Sequence, residues 1–176
     1  ATHPKPLLLS FMGEGEPFLN FDSLVEVCKR FACGHWPEPI KLAVSTSGVR
    51  PDLIEHLAEI PFEAPFKLQI SLHGPTDEIR QKLIPVTRPL AEILTAARVY
   101  RDRSGRIIEF NYVLCDGVND KPSHAHQLTK LLGSGWHVKF NRLNSISDSL
   151  YRGSMYSRIA SFREILERCG ITTEYY

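Results

Sequence analysis

Short apolar runs recur along the chain, and nearly every gap between them carries apolar residues at helical spacing. That alternation constrains the fold most, because strands linked through helices return parallel to one another by right-handed crossovers. Leu7-Leu8-Leu9-Ser10-Phe11 is the first run and ends at a glycine cluster, as a buried strand does. Asp22 is expected to cap a helix with Leu24, Val27, Cys28, Phe31 and Ala32 on its buried face, stopped by Gly34. Ile40 to Ser45 reads as the second strand, and Pro51 opens a helix with Leu53, Ile54, Leu57 and Ala58 as its stripe. Lys67 to Leu72 is the third strand, followed by a short helix near 77–83 and another over 89–103. Strands at 107–114, 137–143 and 171–175, with helices near 123–132 and 154–169, complete the pattern. The expectation is an α/β fold, a parallel sheet or open (β/α) barrel, forming one domain over residues 1–176.

Composition narrows the function classes. With 43% apolar and 23% charged residues the 176-residue chain is globular, and a domain of this size needs neither disulfides nor metals to be stable. The formal net charge is +1, which announces neither a nucleic-acid nor a membrane surface. Residues 1–88 carry 9 basic and 11 acidic side chains against 12 and 9 in residues 89–176, so a polyanion would meet the second half. No run is long enough to span a bilayer, and no signal-peptide pattern is present. Cys28, Cys33, Cys115 and Cys169 are scattered, with no Cys-x2-Cys pair, which reads as a reduced, cytoplasmic protein.

In folds of this kind ligands bind at the carboxyl ends of the strands, and the oddest polar segments fall there. They are Gly13-Glu14-Gly15-Glu16-Pro17, Ser45-Thr46-Ser47-Gly48, Ser71-Leu72-His73-Gly74, Asp116-Gly117 and Asn144-Ser145. Two glycines let the backbone approach a ligand closely and leave N–H groups free, and Glu16 is an acceptor suited to an ammonium or to ribose hydroxyls. A solvated acidic turn is the competing reading of this segment, and local backbone satisfaction that of Ser45 and Ser71. His73 could bond or stack on a ligand or sit satisfied at the rim. His124 and His126, two apart, face different ways on a helix and cannot share a metal. Cys28 and Cys169 read as small core hydrophobes, while Cys115 approaches the rim, where a thiol could react. Arg98, Arg101, Arg103 and Arg106 read as a solvated helix end, with phosphate contact as the alternative.

The order of these strand ends resembles the radical S-adenosylmethionine (SAM) superfamily, and within it the RlmN/Cfr family of RNA adenine-C2 methyltransferases. The family's Met-Gly-x-Gly-Glu-Pro-x-x-Asn is similar to Met12 through Asn20, its Ser-Thr-Ser-Gly-Val to Ser45 through Val49, and its Ser-Leu-His with Asp-Glu-Ile-Arg to Ser71 through Arg80. Asp116 to Asp120, His124 to Leu128, Asn144, Ser157-Arg158-Ile159 and Gly170 to Thr173 resemble further landmarks. The resemblance implies a partial (β/α) barrel of parallel strands, of radical SAM type, that binds SAM. Carried over by position, Gly15 and Glu16 would hold the methionine amine, while Ser45, Ser71, Leu72, His73 and Asn144 would line the rest. It also implies a [4Fe-4S] cluster that cleaves SAM reductively, a methyl group parked on a cysteine, and an RNA substrate, ribosomal or transfer.

The departures matter as much. The family's Cys-x3-Cys-x2-Cys cluster loop follows an earlier strand with no counterpart here, so the barrel lacks its first βα unit, and the methyl-carrying cysteine belongs beyond Tyr176. Ala1 in place of Met favours a piece of a longer enzyme. On this expectation the chain alone is inactive, its cluster ligands missing and its metal-binding and catalytic residues none. The alternative is a degenerate, non-catalytic relative that binds SAM, a nucleotide or a protein partner. Without a preceding strand, the edge at 7–11 is open and expected to self-associate.

Overall fold

A computed structural model describes residues 5–34, 36–144 and 150–175; Ala1 and Ser145 lie outside them. The strands are β1 (Leu7–Phe11), β2 (Ile40–Thr46), β3 (Phe66–Ser71), β4 (Ile107–Val113), β5 (His137–Asn141) and β6 (Thr172–Tyr175). They belong to one sheet in sequential order, so the expected α/β class with parallel strands is the observed one. The helices are α1 (Phe21–Cys33), α2 (Pro51–Leu57), α3 (Asp77–Leu83), α4 (Leu90–Ser104), α5 (Pro122–Leu132) and α6 (Tyr156–Arg168). A 3-10 turn over Pro17–Asn20 leads into α1. Asp22 does not cap α1. The helix starts one residue earlier, Asn20 holds the cap position without a side-chain bond, and the Asp22 carboxylate lies in the first turn, at the positive end of the helix dipole.

The chain divides into two compact units, one comprising residues up to 70 with 91–108, the other 71–90 with 109–176. In the first unit β1 pairs in parallel with β2, Leu7 opposite Ile40 and Phe11 opposite Val44, and β2 with β3, Leu42 opposite Phe66 and Thr46 opposite Ile70. Val44, Leu68 and Ile70 are fully buried, as are Ile54 and Leu57 of α2 and Ile93, Ala96, Ala97 and Tyr100 of α4. The turn after β2 lies directly on α4. A Cβ at Gly48, whose φ is +78°, would come 2.9 Å from Ile93 Cδ1, so glycine is required there on both counts. Arg106 closes the bottom of this unit. Its guanidinium lies 5.1 Å from the Phe62 ring centroid and donates to the carbonyls of Leu57 and Ile60.

In the second unit β4 pairs with β5, Glu109 opposite His137 and Val113 opposite Asn141, and β5 with β6, His137 opposite Thr172. Alternate residues of a strand face opposite ways, and here the alternation is sharp. Phe110 and Tyr112 of β4 join Phe140 of β5 and Phe162 of α6 in an aromatic core, with Tyr112, Phe140 and Phe162 ring centroids 5.6 to 5.9 Å apart. Alternating with them on β4, Glu109 and Asn111 are buried polar residues, which leaves the other face of the strand polar.

Candidate functional site

In the first unit, the loop between β1 and the 3-10 turn is built around Glu16. Its Oε1 accepts from Phe18 N at 3.1 Å and Thr46 Oγ1 at 2.7 Å, and its Oε2 from Ser47 N at 2.7 Å and Ser47 Oγ at 2.6 Å. A carboxylate offers about four lone-pair sites, and protein donors fill this complement. Glu16 therefore caps the 3-10 turn and pins the glycine loop to the end of β2. What the loop still presents outward is main chain. Gly15 takes φ +91°, and a Cβ at Gly13 or Gly15 would meet no atom within 4 Å. A cleft of about 480 Å³ opens beside the loop, walled by Phe11, Gly13, Glu14, Asn20, Leu24 and Val27. Ser45 lies one residue before the end of β2, half-buried and opposite Gln69 in register.

In the second unit, the segment Ser71-Leu72-His73 is held from below. Arg80, fully buried in α3, donates through Nε to Leu72 O at 3.0 Å, through Nη2 to Ser71 O at 3.0 Å and through Nη1 to Arg88 O at 3.3 Å. Burial lowers its pKa to about 10, so the guanidinium remains charged at neutral pH. A Cβ at Gly74 would come 2.7 Å from Arg80 N, so only glycine lets the chain pass this close to α3. His73 is the one non-glycine residue with positive φ among the described residues, at 52°. Its Nδ1 accepts from Val113 N at 3.2 Å, and Asn119 Nδ2 donates to its carbonyl at 2.8 Å. Burial, and then the Arg80 charge, lower the imidazole pKa to about 4. Asn144 follows β5 and is exposed.

Thr46, Ser47, Arg80 and Asn119 are functional neighbours that the sequence reading did not single out. All four lie in the quoted strand-end segments or just after them, but none shows from type alone that it holds a neighbour. The other candidates resolve differently. Arg106 is structural, Arg103 pairs with Glu59 at 3.0 Å and Arg101 with Asp102 at 3.2 Å, so these three arginines are engaged within their own unit, while Arg98 is exposed. Cys28 and Cys115 are buried, and burial pushes each thiol up to about 11, which keeps Cys115 protonated and unreactive. Glu109, His137 and Glu174 each bring one ligand atom to within 4.8 Å of the others. Lys139 Nζ lies 3.9 Å from Glu109, so a positive charge already serves that group.

These small and polar residues stand at the ends of parallel strands joined by helices, an α/β architecture that is similar to that of solved radical SAM enzymes. A radical SAM methyltransferase from Sphaerobacter thermophilus superimposes on 95% of this chain and 50% of its own, with TM-score 0.83 and 34% identity. A domain of a pyruvate-formate lyase-activating enzyme from Bacteroides vulgatus shares the fold, with TM-score 0.70 at 20% identity over 96% of this chain and 98% of its own. The probable dual-specificity RNA methyltransferase RlmN of Symbiobacterium thermophilum is 42% identical over 171 residues, 92% of this chain and 44% of the relative. The chain is thus homologous to RlmN-type radical SAM methyltransferases over most of its length, and it spans about half the length of the curated relatives it matches. No family model matches it.

The cysteines do not fit an iron–sulfur cluster. Cys28 and Cys115 are buried thiols, Cys33 and Cys169 exposed ones, and among the described residues no cysteine belongs to a metal-ligating group. A cluster needs several thiolates at one point, and no chemical step through such a group is assigned to this chain.

Proposed function

We propose that this chain is the SAM-binding portion of an RNA adenine-C2 methyltransferase that works in the cytoplasm on ribosomal or transfer RNA. The observation that carries the reading is the glycine loop after β1. It is rigid, through four hydrogen bonds to Glu16, yet open on its outer side at Gly13 and Gly15. Its main-chain carbonyls suit the methionine ammonium, which Glu16 serves by fixing the loop and not through an unused lone pair. The Ser45 hydroxyl, the Ser71-Leu72-His73 segment and Asn144 are assigned to the remaining polar groups of SAM. Relatives named as RNA methyltransferases support this over the non-catalytic alternative, and the RNA substrate is carried over from them.

Binding itself is the test. Titration calorimetry with S-adenosylhomocysteine, which carries the same amine, carboxylate and nucleoside, should give saturable one-to-one binding. ATP at the same concentration should give none, because the loop would hold an amine and not a phosphate. Equal binding of both, or binding of neither at millimolar ligand, would overturn the reading.

A further inference from the structure

We infer that the strap leading into α6 and the first turn of that helix form the surface that holds RNA, with Arg142, Arg152 and Arg158 on its phosphates and Tyr156 stacked on a base. This rests on the RNA reading above and names where on the second unit that partner lies.

Charge gathers along this segment. From Arg142 to Arg163 the sequence carries Arg142, Arg152, Arg158 and Arg163 against Asp148 alone, and no acidic residue stands in the first turn of α6. The formal net charge of the whole chain is only +1, so this excess is local. α6 follows β5, which sets its first residues at the carboxyl end of the strands, where ligands approach a fold of this kind. Arg163 is engaged by Glu167 at 3.2 Å. Arg142 and Arg152 are exposed, and no salt bridge holds either among the described residues. Arg158 reaches Asp120 only at 3.5 Å, and its side chain stays 39% exposed.

Apolar and aromatic side chains are interleaved with these cations. Met155 and Tyr156 are 69% and 66% exposed. Tyr156 meets Tyr175 of β6 edge to face, with ring centroids 5.6 Å apart at 81°, and Arg142 lies beside that Tyr175. In such a pair at most one face of either ring is covered, so Tyr156 keeps a face for a base. A cleft of about 230 Å³ opens at the same helix start, walled by Asp120, Pro122, Met155, Ser157, Arg158 and Phe162.

The strap that carries these groups is latched to the end of β4. Arg152 O accepts from Asp116 N at 2.8 Å, Ser154 N donates to Leu114 O at 3.2 Å, and Cys115 and Gly153 form an antiparallel bridge. Ser154 Oγ donates to the buried Asp120 carboxylate at 2.9 Å, and Tyr151 OH to Lys82 O at 3.0 Å. A strap pinned through main chain and side chains holds its outward groups in place before a partner arrives, which lowers the ordering cost of binding. Rings set between arginines suit a single-stranded polynucleotide, whose bases stack and whose phosphates pair with guanidinium groups. A lipid surface would call for a continuous apolar face, whereas these are single residues between charges.

Fluorescence anisotropy with a labelled single-stranded RNA of about 12 nucleotides, repeated over a range of salt, tests the surface. The parent chain should bind, more weakly as salt rises. Arg142→Ser and Arg152→Ser should each lower the salt slope by about 0.7. Lys130→Ser, which removes an exposed charge from the last turn of α5, should leave the slope unchanged. Tyr156→Ala should weaken RNA about 5–150-fold without moving the slope, and Tyr156→Phe should keep the parent affinity. Circular dichroism checks folding, and should Tyr156→Ala not fold, the arginine variants decide. A parent that binds no RNA, equal effects of Lys130→Ser and the arginine variants, or a folded Tyr156→Ala that binds like the parent overturns the proposal. Capture of phosphatidylserine vesicles in place of RNA overturns it in favour of a lipid surface. S-adenosylhomocysteine should bind all variants as it binds the parent. If RNA binds through these residues but S-adenosylhomocysteine does not bind at all, the SAM reading fails and the surface stands. If RNA binds and none of the variants matters, the RNA reading stands and this surface fails.

Discussion

At the scale of single residues, two glutamates two positions apart should behave as different kinds of residue. Glu16 accepts four hydrogen bonds, whereas Glu14 is exposed and wholly outside that set. Glu16→Gln puts an NH2 against at least one donor and leaves it unmatched, so it should cost about 1–3 kcal/mol of stability. Glu14→Gln should fall within about 0.5 kcal/mol of the parent. Urea denaturation of the pair checks this, and equal losses would mean that the loop is not braced as described. His73 makes a second prediction, this one in pH. Its folded-state pKa of about 4 lies below the ordinary 6.5, so between those values the unfolded chain binds the extra proton. The contribution is complete above about pH 6.5 and is lost as pH falls toward 4, by at most about 3 kcal/mol. Stability curves of the parent and His73→Asn should therefore converge on acidification through that window; parallel curves would show that His73 is not held neutral.

At the scale of elements, the sequence marks the strands well because apolar runs and helical stripes are read directly from residue type. All six strands and the α/β class are where the alternation places them, with ends displaced by up to two residues. What type cannot show is which polar residue holds which. Glu16 reads as a ligand acceptor from sequence, and only the geometry reveals Thr46 and Ser47 as its partners. The Asp-Glu-Ile-Arg stretch is quoted from sequence only for its family likeness, and the geometry alone shows Arg80 buried beneath the β3 end with donors on main-chain carbonyls. The glycines follow the same logic. Gly74→Ala should cost about 1–3 kcal/mol, since its Cβ would press on the α3 backbone at 2.7 Å. Gly13→Ala, with open space around it, should be neutral or stabilising by up to about 1 kcal/mol through the unfolded chain. Thermal melts of the two variants separate these outcomes, and a similar loss in both would contradict the close approach at Gly74.

At the scale of the whole molecule, β1 is the strand whose surface bears on behaviour. The strand pairs with β2 along one side and, among the described residues, is the first strand of the sheet. Leu7 and Leu8 are 50% and 56% exposed, and because neighbours on a strand face opposite ways, apolar surface is open on both faces of the edge. Met12 and Leu19 extend it, at 54% and 72% exposed, and the cleft walled by Phe11, Leu24 and Val27 lies beside it. An edge strand of this kind carries unpaired N–H and C=O groups, and although Lys5 and Pro6 stand just before it, Leu7–Phe11 itself contains no lysine or proline to block pairing. The chain should therefore associate with itself as concentration rises, with residues 7–11 gaining protection from amide exchange in the associated form. Leu8→Lys places a charge on the edge without altering the buried face of β2. Sedimentation velocity of that variant should show a monomer at concentrations where the parent is dimeric or larger. A parent chain that stays monomeric at high concentration, with residues 7–11 exchanging freely, would show that the edge is not the adhesive surface.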